Sequence, residues 1–341
     1  MSKAINKTPD RNLAMELVRV TEAAAISAAR YMGTGNKEIG DQAAVDAMRA
    51  VLDTVDIDGT VIIGEGEKDE APMLFNGESV GNGNGPKMDI AVDPVEGTRL
   101  LANGTPNSIA VIAASESGSM WVPEDSLYMK KIVVEERAKN VIDINDSPVN
   151  NLNRIAKALD REVNQLTVFV LDKPRHEQLI SDIRKAGARI TLHTDGDVMG
   201  ALMAAIPGTG VDVLMGTGGT PEGVIAAAAV KALRGGMQGK RDPQVDYEIK
   251  ELAAKGVDLT QVLYIDDLIK SDDAFFAATG ITEGSFLKGI HFDQVKGVTT
   301  HSIVIRALSG SIRFIEGSHS LQRNLAFGDE GLKQAVKMAS M

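Results

Sequence analysis

The stretch Asp89-Ile90-Ala91-Val92-Asp93-Pro94-Val95-Glu96-Gly97-Thr98 decides how this chain is read. Its apolar run predicts a buried strand over 89–93, and Pro94, which has no N–H for a ladder, marks the expected end. Asp93 and Glu96 then fall on the following turn, beside Gly97 and the hydroxyl of Thr98. Two carboxylates and a hydroxyl at a strand end suit a hard divalent cation better than they suit folding. Burying paired carboxylates without a counter-ion is costly, so the pattern implies a cation.

The rest of the chain is compatible with an ordinary soluble globular protein. Its 341 residues, 43% hydrophobic and 24% charged, can bury one extended core or two fused subdomains. Aromatics are scarce while Ala, Val, Ile and Gly abound, which favours tight helix-on-sheet packing. The net charge of -11 argues against a general nucleic-acid or membrane-surface binder. It also repels a phosphorylated substrate, so metal or local Lys and Arg must offset it at any phosphate site. The absence of cysteine excludes disulfides, Cys-based zinc sites and a Cys-nucleophile phosphatase mechanism. With no signal-peptide pattern and no run of 18 apolar residues, the expected location is the cytoplasm.

Periodicity divides the chain into an N-terminal part (1–160), a C-terminal part (161–320) and a tail (321–341). Residues 1–9 read as loose. Asp10 is a candidate cap for a helix from Leu13 toward Tyr31, stopped by Gly33. A second helix is predicted over 43–52, with Gly35-Asn36-Lys37-Glu38-Ile39-Gly40-Asp41 as a loop presenting Asp41 at its start. Strands are predicted at 60–63, 89–93, 108–114, 130–134 and 140–144, with an exposed Gly/Asn-rich loop over 76–87. The first part is therefore expected to be two long helices on a largely antiparallel sheet, an α+β arrangement. After residue 150, strands at 166–171, 189–192 and 211–215 alternate with helices at 155–159, 177–186, 198–205 and 221–233. That rhythm predicts α/β units with a strong parallel component. Residues 236–260 read as polar, strands near 302–307 and 311–315 are expected to return to an earlier sheet, and the tail after Leu321 reads as a helix.

Five acids recur in one kind of place. Asp41, Glu65, Asp93, Glu96 and Glu222 all fall at a helix start or on a loop after a strand, where sites gather in α/β folds. Glu65, in Gly64-Glu65-Gly66-Glu67, has glycines on both sides that allow a sharp turn; the alternative is a polar surface hairpin. Mg²⁺ and Mn²⁺ take oxygen ligands and leave positions for phosphate and water. Two such ions sharing carboxylates can hold an attacking water and a leaving oxygen in line. Thr98 is the natural positioner of that water, with Asp41 as the carboxylate its hydroxyl donates to. Thr98 also reads as an N-cap, and both roles stand. A helix start there points its positive end at phosphate.

With these residues in view, the segment Asp93-Pro94-Val95-Glu96-Gly97-Thr98 resembles the signature of the lithium-sensitive, metal-dependent sugar and inositol phosphatases. The chain as a whole resembles the bacterial class II fructose-1,6-bisphosphatases. The likeness runs from Arg11 to about His319. It includes Asp41-Gln42-Ala43-Ala44-Val45, Ile63-Gly64-Glu65-Gly66-Glu67, Glu70-Ala71-Pro72-Met73-Leu74 and Tyr128-Met129-Lys130-Lys131. It continues through Lys173-Pro174-Arg175-His176, Asp195-Gly196-Asp197-Val198 and Gly218-Gly219-Thr220-Pro221-Glu222-Gly223. The resemblance implies a layered αβαβα fold, Mn²⁺ or Mg²⁺ dependence, and hydrolysis of the 1-phosphate of fructose 1,6-bisphosphate to fructose 6-phosphate. It implies metal-site roles for Asp41, Glu65, Asp93, Glu96 and Glu222, with Thr98 as the catalytic hydroxyl and Asp41 and Glu65 beside it. It also implies that Glu96, Gly97 and Thr98 form a phosphate-contacting turn, and that the protein is a homo-oligomer, a dimer or tetramer. The chain departs from the wider superfamily in carrying Glu96 where many relatives have Asp, and Arg99 where they have a second hydroxyl.

Substrate positions follow the same logic. Lys173 and Arg175, around Pro174, offer a point charge and a fork of donors to a second phosphate. Asp195 and Asp197 around Gly196 suit sugar hydroxyls or form a plain turn with a helix cap. Tyr128 donates to phosphate or packs in the sheet, and Gly219 lets backbone N–H groups approach a ligand. Sedoheptulose 1,7-bisphosphate, inositol phosphates and nucleotide bisphosphates would share the chemistry. A sugar-phosphate sensor without catalysis would not need Thr98. The five histidines are scattered with no nucleophile elbow, and Gly81-Asn82-Gly83-Asn84-Gly85 lacks dinucleotide-loop spacing.

Overall fold

A computed structural model describes residues 13–66, 73–123, 126–293 and 297–320. In chain order the elements are α1 (Leu13–Ala29), α2 (Lys37–Leu52), β1 (Asp58–Ile63), β2 (Ser79–Val80), β3 (Lys87–Glu96) and α3 (Thr98–Asn103). Next come β4 (Ile109–Glu116), β5 (Tyr128–Val134), α4 (Pro148–Ala158), β6 (Thr167–Leu171), α5 (Glu177–Lys185) and β7 (Arg189–His193). Then follow α6 (Asp197–Ala205), β8 (Val213–Gly219), α7 (Thr220–Ala232), β9 (Gly236–Arg241), α8 (Asp246–Ala254), β10 (Leu263–Tyr264) and α9 (Ile265–Leu268). The chain closes with β11 (Ala274–Gly280), β12 (His291–Asp293), β13 (Gly297–Arg306) and β14 (Ser311–His319).

Strand alternation builds the layers. On β3 and β4, Ile90, Val92, Ala110 and Ile112 face a core shared with α1 and α2, while Ala91, Val111 and Ala113 face one shared with α6 and α7. The second sheet does the same: Met129 and Val133 of β5 face α6 and α7, and Ile132 and Val134 face α4 and α5. The order is helix, sheet, helix, sheet, helix, so the αβαβα expectation holds. Strands covered on both faces read as nearly continuous apolar runs, as β4 and β11 do. The eight-stranded sheet runs β12-β13-β11-β4-β3-β1-β2, with β14 on the other side of β13. The six-stranded sheet runs β10-β9-β5-β8-β6-β7.

Several expectations change. β3 does not stop at Pro94 but runs to Glu96; its register with β4 slips between Asp93 and Glu96, and Pro94 sits in that bulge, where a ladder N–H is not required. The predicted loop before Asp41 is helix, because Asn36 caps α2 by accepting the N–H groups of Glu38 and Ile39. Asp41 therefore projects from a helix. Residues 140–144 form no strand: the Ile144 N–H donates to Gln238 Oε1 and the Asp143 N–H to Asn151 Oδ1, so side chains take the place of a ladder. The polar stretch 236–260 contains β9 and α8, and β1 pairs parallel with β3. The boundary at residue 160 does not follow the sheets, since β5 and α4 belong to the second sheet's layers and β11–β14 to the first sheet. The strands near 302–307 and 311–315 do return to the first sheet, as β13 and β14. Residues 1–9, Asp10, Glu67, residues 70–72 and the tail after Leu321 lie outside the described residues.

Candidate active site

The bulged end of β3 and the starts of α6 and α7 face one another between the sheets, around a cavity of about 670 Å³. Every residue assigned a role from the sequence lines it, apart from Pro174: Asp41, Glu65, Asp93, Glu96, Gly97, Thr98, Tyr128, Lys173, Arg175, Asp195, Gly196, Asp197, Gly219 and Glu222. Seven segments far apart in sequence thus converge, most of them at a strand end or a helix start on the same side.

Local backbone places the key groups. Gly97 is left-handed, with φ 84°, and is the N-cap of α3; an L side chain resists that conformation. Thr98 is consequently the first helical residue rather than the cap, and among the described residues its hydroxyl makes no hydrogen bond. Among the described residues the expected hydrogen bond from Thr98 to Asp41 is not formed, although both line the cavity. On the opposite wall, a Cβ on Gly219 would lie 1.8 Å from Glu222 Oε2, and one on Gly218 would lie 2.0 Å from Asp197 Oδ2. Both glycines are needed to let a carboxylate fold back onto the backbone.

The acids strain against one another. Burial first, and then the charge of Asp41, pushes the Glu65 carboxyl up to about 7. Burial pushes Asp41 up to about 6, against the pull of Lys37. Asp93 is raised well above its ordinary range by burial and then by Glu65, Glu96, Glu222 and Asp41. Burial and the charges of Asp197 and Glu222 raise Glu96; burial and Asp197 raise Glu222. Glu96 Oε2 and Glu222 Oε2 are also buried without a hydrogen-bond partner. Carboxylate oxygens left this way cost free energy unless a cation meets them. Among the described residues no three acidic or histidine side chains are gathered tightly enough to enclose an ion by themselves. The donor set instead fits a divalent ion held by one or two carboxylates and completed by waters and phosphate oxygens.

The cationic side is organised around Asp195, whose Oδ1 receives Lys173 Nζ at 3.0 Å and Arg99 Nη2 at 3.5 Å. Asp195 therefore anchors two cations rather than standing free. Arg99, undecided from the sequence, pairs with this acid at the cavity rim. Arg175 donates Nε and Nη2 to the Thr217 carbonyl at 3.0 and 2.8 Å and lies 5.3 Å from the centre of the Tyr128 ring. Part of its donor fork thus fixes its own orientation. Next to it, His176 Nδ1 bonds the Leu171 carbonyl and Nε2 accepts the Thr217 N–H, while burial holds its pKa below the ordinary value.

Sequence reasoning gave no role to Lys131, which is buried and ion-paired to Asp197. A signal was present: Met129, Lys131 and Val133 share one strand face, and the two flanking residues are core. A lysine in that series is an inward charge that needs a partner.

Comparison with known proteins agrees with this geometry. Residues 11–319 match the family described as "Bacterial fructose-1,6-bisphosphatase, glpX-encoded". The chain is 44% identical over 328 residues to fructose-1,6-bisphosphatase 1 class 2 of Escherichia coli (strain K12), covering 92% of this chain and 96% of that one. The same values hold for the class 2 enzymes of Escherichia coli O6:H1 and Shigella flexneri.

Proposed function

The chain belongs to the bacterial fructose-1,6-bisphosphatase family, and from that premise we propose that it removes the 1-phosphate of fructose 1,6-bisphosphate, releasing fructose 6-phosphate. The observation that supports the chemistry is the pair of partnerless buried oxygens on Glu96 and Glu222, on a cavity that Thr98 also lines. Asp41, Glu65, Asp93, Glu96 and Glu222 are the residues that would hold Mn²⁺ or Mg²⁺. When bound, such an ion offsets phosphate charge and makes water more acidic.

The chain's own groups do the rest. The Thr98 hydroxyl, uncommitted to capping, accepts from the attacking water and orients it toward phosphorus. Asp41 and Glu65, which line the same cavity as Thr98, are the carboxylates to which the water's proton passes. The Glu96-Gly97-Thr98 turn borders the reacting phosphate, with Tyr128 donating to it. Lys173 and Arg175 hold the second phosphate, and Asp195 with Asp197 accept from sugar hydroxyls. Among the described residues no helix is long and apolar enough to cross a membrane. A cytoplasmic homo-oligomer, a dimer or tetramer inhibited by Li⁺, completes the proposal. The test is Thr98→Ala assayed with Mn²⁺. Phosphate release should fall by about a hundredfold or more while Mn²⁺ binding persists, as expected on losing a group that acts on the water. No release by the unaltered protein from fructose 1,6-bisphosphate or any other sugar bisphosphate overturns the assignment.

A further inference from the structure

Lys131 lies on β5 between two core residues, and its side chain is 3% exposed. Its ammonium donates to Asp197 Oδ2 and, at 2.8 Å, to the Gly219 carbonyl. Asp197 is the first residue of α6, and Gly219 is the N-cap of α7, whose first turn carries Glu222. A Cβ on Gly218 would lie 2.0 Å from Asp197 Oδ2 and 3.1 Å from Lys131 Nζ, so the ion pair, its carboxylate first, occupies the space that glycine leaves. One buried cation thus ties together the starts of two helices. One helix brings Asp197 to the cavity, and the other brings Glu222. An ion pair this deep is no better for stability than two apolar side chains of equal volume, because desolvation offsets the attraction. What the pair supplies is direction.

We propose that Lys131 is a positioning residue for hydrolysis, holding the Asp197 carboxylate toward the sugar at a set distance from Glu222. This rests on the sugar-bisphosphatase reading above. Lys131 does not itself touch the phosphate; it acts through Asp197, and the Gly219 carbonyl holds the ammonium in place.

The experiment compares Lys131→Met, Asp197→Asn and the double variant in steady-state hydrolysis of fructose 1,6-bisphosphate at saturating Mn²⁺. Lys131→Met should raise KM about tenfold or more with a smaller change in kcat, the signature of a misdirected binding group rather than a weakened fold. The double variant should show the KM of Asp197→Asn alone, because without the carboxylate charge Lys131 has nothing to orient. A Lys131→Met enzyme with unchanged KM, or a double variant in which the two losses multiply, overturns the inference. Where Lys131→Met fails to fold through its lone buried acid, the double variant leaves no unpaired charge and its comparison with Asp197→Asn decides. Absence of hydrolysis by the unaltered protein overturns the reaction and this inference together; normal hydrolysis with an unaffected Lys131→Met overturns the inference alone.

Discussion

Replacing Glu65 by Gln should stabilise the metal-free protein while crippling the enzyme. Glu65 is raised from 4.5 to about 7 by burial and by Asp41. A folded-state pKa above the unfolded value means the folded protein binds the proton more tightly. The associated stability is fully present below about pH 4.5, declines as pH rises toward 7, and is absent above that. The shift corresponds to about 3 kcal/mol at most, and partial exposure to the cavity brings the expectation to about 1–3 kcal/mol. Gln resembles the protonated carboxyl, so Glu65→Gln escapes the loss. Urea unfolding in chelator at pH 5 and pH 8 reads this out: the two proteins should be nearly equal at pH 5, with the variant ahead at pH 8. Added Mn²⁺ should reverse the order at pH 8, since the ionised carboxylate then has a partner. A variant no more stable than the parent at pH 8 in chelator refutes the claim that Glu65 is held there under electrostatic strain.

Two other substitutions test the local geometry. Gly219→Ala places a Cβ where Glu222 Oε2 now sits, 1.8 Å away; turnover should drop at least about tenfold with little change in the melting temperature, because the displaced carboxylate faces a cavity. A near-normal rate in that variant counts against Glu222 folding back over Gly219. Asn36→Ala removes the cap of α2 and should cost about 1 kcal/mol in denaturant unfolding; an unchanged midpoint would show that the cap bonds carry no weight.

Much of the site was legible in local punctuation. Gly97, Gly196, Gly219 and the acids beside them mark strand ends and helix starts, and such turns are encoded by the few residues able to adopt them. The nearly continuous apolar runs of β3 and β4 likewise announced buried strands. Boundaries that depended on side-chain partners far along the chain were not legible. Residues 140–144 have strand composition, yet Asn151 and Gln238 accept the N–H groups of Asp143 and Ile144, and the Val141 N–H turns back to the Ala138 carbonyl. Pro94 looked like a stop and became a bulge because β4 could shift register around it.

What the chain order alone established was therefore the inventory: which acids, which hydroxyl, which cations, and the kind of turn holding each. Tertiary structure decided who pairs with whom. It set Asp195 between Lys173 and Arg99, moved β5 into the second sheet, and brought Lys131 under Asp197 and Gly219. The reason is physical. Turn and strand preferences act over a few residues, whereas the cost of a buried charge is met only by whatever partner the packed layers bring within reach. At Asp93-Pro94-Val95-Glu96-Gly97-Thr98 the sequence announced carboxylates in need of a cation, and only the fold showed which other acids share that need.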